Sequence, residues 1–208
     1  MSLLQHEALL AALDEKDDLG KRLVVSPLLD DAQVGEASID LRLGTEFLTL
    51  RRTLRPGIDV LAEDADAQVN SLYERIVVPF GDGLWLHPQQ FALGSTFEFI
   101  RLPPSMGAYV LSRSSWGRLG LLVATAIMVQ PGFSGSLTLE LVNAGDSPIK
   151  LYPGLPVAQL AVHSLVEATA FEKTKTYLAP TGPQAGRLDK DREALKKIVE
   201  LGDALSRV

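Results

Sequence analysis

The sequence predicts a mostly β fold, a barrel or sandwich of short strands with a helix at each end. Three observations predict it. Apolar residues alternate with polar ones in "ASIDLRLG" and "SLTLELVN", the period of a half-buried strand. Strand-like segments recur through the middle of the chain, separated by Gly and Pro turn signals. Helical apolar spacing is confined to the two ends.

The elements follow in order. Residues 3–15, "LLQHEALLAALDE", read as an amphipathic helix that ends in the charges and glycine of 16–20. In "ASIDLRLG", Ile39, Leu41 and Leu43 share one face, and Ser38, Asp40 and Arg42 the other. "EFLTLRR" continues in that style. Residues 55–75, polar and rich in Asp and Ala, read as a surface excursion with room for a short helix. Then come "RIVVPF", "LWLHPQQFALGSTFEFI", "MGAYVL", "LLVATAIMVQ", "SLTLELVN", "IKLYPG" and "PVAQLAVHSL" as strands. Residues 174–189 are turn-rich, and a final helix over about 190–206 carries Leu195, Ile198, Val199 and Leu205 near one side. One domain is expected over 1–208, with residues from about 172 onward as a C-terminal tail.

Composition narrows the function. The 208 residues are 46% hydrophobic and 22% charged, ordinary for a globular chain. A formal charge of -6 argues against a protein that coats nucleic acid, yet a few arginines suffice for a small phosphate compound. No run of about 18 apolar residues speaks for a membrane span, and no charged-then-apolar leader for secretion. A cytoplasmic location is therefore expected. Cysteine is absent, and His6, His87 and His163 have no ligand spacing, so a zinc site of the His/Cys/Cys kind cannot be built. No metal-ligating set is expected. Neither a GxxxxGK[ST] loop nor a GxGxxG turn occurs.

Three stretches carry chemistry. "LSRSSWGRLG" brackets Ser114 and Ser115 with Arg113 and Arg118, donors that suit phosphate oxygens. Gly117 and Gly120 let its backbone bend. In "SLTLELVN", Leu137, Leu139 and Leu141 face a core, which turns Thr138 and Glu140 to the opposite face. A carboxylate there is either exposed or set in a cleft, where it suits a general base. In "PGLPVAQLAV", Gln159 offers a donor and an acceptor from an apolar strand.

Taken in order, these motifs resemble the dCTP deaminase and dUTPase family, and most closely its dCTP deaminase branch. "ASIDLRLG", "SRSSWGRLGL", "PGFSG" with "LTLELVN", and "PGLPVAQL" are similar to its four successive motifs. "LHPQQFALGSTFEFIRLP" and "GRLDKD" resemble deaminase segments, so the likeness spans about residues 3–191. It implies a dUTPase-like distorted β-barrel (β-clip) with an N-terminal and a C-terminal helix. It implies a homotrimer that binds a deoxynucleoside triphosphate in sites shared between adjacent subunits. Magnesium would ride on the triphosphate, and no zinc would take part. Arg113, Ser115, Trp116 and Gly117 would bind substrate, and Ser114 and Arg118 would position the catalytic water. Glu140 would be the base, with Thr138, Leu139, Gln159, Ala126 and Gln130 lining the site.

The chain departs from the family in three places. Gln130 stands before "PGF" where the family has Asp; an amide is no base, which disfavours dUTP hydrolysis and direct formation of dUMP. The strand "LLVATAIMVQ" is about one residue short and lacks a His before Thr125 and Ala126. In the tail only Lys175 and Tyr177 compare with the residues that cover the phosphates, and Pro180 replaces a Gln. Beside deamination of dCTP to dUTP, these leave two readings: a dUTP pyrophosphatase, and a nucleotide-binding member that does not turn over.

Overall fold

The computed structural model describes residues 2–16, 18, 20–51, 57–124, 128–166 and 179–205. Strand β1 (Ser2–Leu3) precedes helix α1 (His6–Leu13), which is shorter than the helix expected over 3–15 because Leu3 pairs as a strand with His163. Leu9 is its fully buried anchor in the core. Strand β2 (Val24–Ser26) follows. Strand β3 (Ile39–Leu50) unites "ASIDLRLG" and "EFLTLRR" in one strand of 12 residues. Ile39, Leu41, Leu43 and Phe47 are fully buried in it, as the alternation requires.

The excursion contains helix α2 (Ala65–Ser71), which runs into β4 (Tyr73–Val77). Strands β5 (Leu84–Leu86), β6 (Phe91–Thr96), β7 (Phe99–Arg101) and β8 (Met106–Ser112) come next. A single helical turn, α3 (Ser114–Gly117), separates β8 from β9 (Leu121–Ala124). Then follow β10 (Met128–Val129), β11 (Ser134–Gly135), β12 (Thr138–Asn143), β13 (Ile149–Leu151) and β14 (Pro156–Ser164). The terminal helix α4 spans Asp189–Leu205.

Nine strands form one curled sheet in the order β10-β8-β14-β3-β6-β12-β9, with β1 on β14 and β4 on β3. The far strand β9 returns to touch β8 and α3, which closes the curl into a distorted barrel. The pivot is β3: Ile39 to Arg42 pair with β14, while Leu43 to Leu50 pair with β6 and β4. Inside lie Phe47, Leu139, Leu141, Ile100, Leu102 and Leu121, all nearly or fully buried. No helix among the described residues is long and apolar enough to cross a membrane.

Candidate active site

The serine–arginine turn is pinned from below. Arg113 is extended (φ -75°, ψ 130°), and its carbonyl accepts the N–H groups of Trp116 and Gly117. Its own N–H donates to the Val157 carbonyl of β14 at 3.2 Å. The Trp116 indole N–H donates to the Pro156 carbonyl at 2.9 Å, and its ring packs on the core. Gly120 closes the turn with φ +91°, and a methyl there would meet the Gly145 backbone at 2.6 Å. Its conformational freedom thus serves close packing against the loop after β12. Ser114, Ser115, Gly117 and Arg118 are left facing solvent, with Arg113 and Trp116 half-buried beneath them.

Three of the sequence motifs meet at Asp40. Its Oδ2 lies 3.3 Å from Arg113 Nη1, and its Oδ1 accepts Gln159 Nε2 at 3.0 Å. One carboxylate thereby joins β3, the turn after β8, and β14. The contact engages one nitrogen of the guanidinium and leaves its other N–H donors outside it. Asp40 was not among the expected site residues; its polar position in "ASIDLRLG", on the face opposite the leucines, was the signal that could have found it.

Glu140 lies on β12, where Leu139 and Leu141 are fully buried and Thr138 and Glu140 alternate to the other face. It pairs with Leu93 of β6 on one side and Ala124 of β9 on the other. Across β9, the Ser112 hydroxyl donates to the Val123 carbonyl at 2.9 Å and ties that strand to the base of the turn. Burial pushes the Tyr73 phenol up, and the charge of Glu140 adds to the effect. Among the described residues no ion pair joins Glu140 to Arg113 or Arg118. The Thr138 hydroxyl accepts the Gln184 N–H at 3.1 Å, so residues after 179 run past this strand. Leu139 can offer a ligand only its backbone.

Gln130 is exposed and opens a turn in which its carbonyl accepts the Phe133 N–H at 3.1 Å. Val129 pairs with Ala108, which sets Gln130 level with Gly107. The stretch of β8 from Gly107 to Arg113, at about 3.3 Å per residue, separates the two by roughly 20 Å. One chain therefore does not bring Gln130 to the arginine turn. Thr125, Ala126, Lys175 and Tyr177 lie outside the described residues. The histidines stay apart: His6 Nδ1 lies 3.2 Å from the Gly35 carbonyl, His163 packs edge-on against Tyr109, and His87 is exposed. A hollow of about 430 Å³ beside Leu50, Ile76, Trp85, His87 and Phe91 contains none of the expected site residues.

The turn thus gathers hydroxyl and guanidinium donors at one strand end of a curled β-barrel. The family model described as dCTP deaminase-like matches residues 3–165, and the chain belongs to that family. The dCTP deaminase of Natronomonas pharaonis is 40% identical over 187 residues, 87% of this chain and 92% of that protein. A protein of Methanobrevibacter smithii named "dCTP deaminase, dUMP-forming" is 36% identical over 203 residues, 95% of this chain and all (100%) of its own length. The crystal structure of 2'-deoxycytidine 5'-triphosphate deaminase from Agrobacterium tumefaciens has the same fold, with a TM-score of 0.58 at 24% identity. That alignment covers 78% of this chain and 48% of the solved chain, so this chain spans about half its length.

Proposed function

We propose that this chain deaminates dCTP to dUTP and ammonia, with Glu140 as general base and without zinc. The observation that carries the proposal is the junction of Arg113, Asp40 and Gln159 under the serine–arginine turn. The names of its relatives, dCTP deaminases at 36–42% identity, support the substrate. Arg113, with the exposed hydroxyl of Ser115 and the backbone at Gly117, binds the triphosphate through charge-assisted hydrogen bonds. Ser114 and Arg118 hold a water against C4 of the cytosine ring. Glu140 takes a proton from that water as its oxygen bonds to C4. It then delivers that proton to the 4-amino group, the C4–N bond breaks and ammonia leaves, and the water's second proton passes from the new hydroxyl to N3, which gives the C4 carbonyl and N3–H of uracil.

Magnesium belongs to the substrate complex, held by the triphosphate oxygens. The chain's own offering there is cationic and hydroxyl donors; among the described residues no three His, Asp or Glu side chains gather as a metal cage. The roughly 20 Å between Gln130 and Arg113 along β8 supports a site completed by a second subunit, as in a homotrimer. Gln130 then holds the sugar, and Lys175 and Tyr177 close over the phosphates. The reaction is placed in the cytoplasm with the free nucleotide pool.

A second reading rests on the relatives named dUMP-forming. It requires a water at the α-phosphate, which the amide of Gln130 cannot deprotonate. Purified protein is incubated with magnesium and dCTP or dUTP, and the nucleotides are resolved by chromatography. dUTP alone from dCTP supports the proposal; dUMP and pyrophosphate support the second reading. Binding without any product leaves a nucleotide-binding protein. Glu140→Gln is expected to abolish turnover and retain nucleotide binding, and residual turnover would remove Glu140 from the mechanism.

A further inference from the structure

Behind Asp40 lies a buried ionic cluster with no place in the mechanism above. Glu98 is completely buried, at 0% exposure. Its Oε2 accepts the backbone N–H of Arg42 at 2.9 Å, and its Oε1 lies 3.3 Å from Arg42 Nη1. Gln33, 2% exposed, donates Nε2 to Glu98 Oε1 at 3.0 Å and to the Asp40 carbonyl at 2.8 Å. The Gln33 Oε1 accepts Arg42 Nη1 and the Leu29 N–H. Outermost, Arg42 Nη2 reaches Asp30 Oδ2 at 3.1 Å.

The position of this cluster gives it a task. Arg42 and Asp40 are two residues apart on one strand and share a face. Arg42 is therefore a second guanidinium within reach of the carboxylate that holds Arg113. Every contact of Arg42 described above is instead with Glu98, Gln33 and Asp30. The Arg42 N–H sits where β3 passes from β14 to β6, and Glu98 supplies its acceptor there. Such an ion pair adds little to net stability, because desolvation opposes it, while loss of one partner leaves the other charge buried and seeking a new one.

We infer that Glu98 is a positioning residue: with Gln33 it holds Arg42 away from Asp40, so that Asp40 stays committed to Arg113 and Gln159. The inference rests on the deaminase reading, in that Arg113 is taken to bind the triphosphate. Released from Glu98, Arg42 competes for Asp40, and Arg113 loses its ion-pair partner. Nucleotide binding weakens while the chemistry at C4 does not.

The test is a set of variants assayed with dCTP and magnesium, with thermal melts alongside. Asp40→Asn is expected to raise KM about tenfold with kcat changed less than about threefold. Glu98→Gln is expected to do the same; if it does not fold, Glu98→Asp, which withdraws the carboxylate, takes its place with the same expectation. The double variant Arg42→Gln/Glu98→Gln removes the competitor with its restraint, and its KM is expected back within about threefold of the parent. A purely structural role for Glu98 makes the double variant no better than the single one, and that result overturns the inference. So does an unchanged KM in the folded Glu98 variant. If the parent protein itself neither binds nor converts dCTP, the functional reading fails and this inference fails with it.

Discussion

Leu139 and Glu140 are neighbours in sequence and were both expected at the site, yet they face opposite sides of β12. Truncating Leu139 to Ala tests that directly. The side chain is fully buried, and it pairs with Gly94, where an added methyl would meet Leu43 at 3.0 Å and Leu141 at 3.2 Å. Strands bond β12 on both edges, so the walls cannot close on the void. Buried Leu→Ala changes cost about 2–5 kcal/mol, more where the surroundings cannot relax, which makes about 3 kcal/mol a reasonable expectation. For a chain of this size that lowers Tm by roughly 6–12 °C. Glu140→Gln, on the other face, is expected to change stability by less than about 0.5 kcal/mol. Thermal unfolding by circular dichroism, at one protein concentration, reads both. A Leu139→Ala variant that melts within about 2 °C of the parent, with a raised KM, would refute the assignment of this side chain to the core.

Two further outcomes are expected. The Glu140 charge contributes to the raised Tyr73 phenol, so in Glu140→Gln that phenol should titrate lower, with the burial effect still in place. Phenolate absorbance against pH measures this, and no displacement would mean that the carboxylate points elsewhere. Burial pushes the Glu98 carboxyl above its ordinary 4.5, with Arg42 offsetting only part of the effect. Between that value and the raised one the folded chain keeps a proton that the unfolded chain has lost. The contribution of Glu98 is thus fullest in acid and fades as pH rises through the raised value. Denaturant titrations across this window should show the parent losing stability relative to Glu98→Gln as pH increases; a relative gain would mean that folding favours the carboxylate.

The strands were legible because alternation is a local signal. Ile39, Leu41 and Leu43, and again Leu137, Leu139 and Leu141, mark their inward faces without help from the rest of the chain. Both terminal helices were legible for the same reason. Helical spacing does not say what covers a face, however: Ile198 and Leu201 of α4 are 65% and 64% exposed. The bond from Gln159 to Asp40 spans 119 positions and is a product of strand order, which no local pattern encodes. Glu98, in "STFEFI", reads as a surface residue between two phenylalanines. It is buried because the chain bends between β6 and β7 and turns the carboxylate beneath Arg42. Gln130 drew notice as an amide before "PGF", but only the register of β10 on β8 shows how far it stands from Arg113.

The pivotal place of β3 has a consequence for biosynthesis. Its first residues pair with β14, so Ile39 meets Leu160 across most of the chain. As the polypeptide emerges from the ribosome, β3 appears early and then waits with one edge bare until β14 has followed it out. Pairings between such distant segments form slowly, and an unpaired apolar edge is open to other nascent chains in the meantime. The barrel's closure, and with it the meeting of Asp40, Arg113 and Gln159, is therefore a late event in folding, exposed to whatever chaperones and neighbours attend the chain before β14 arrives.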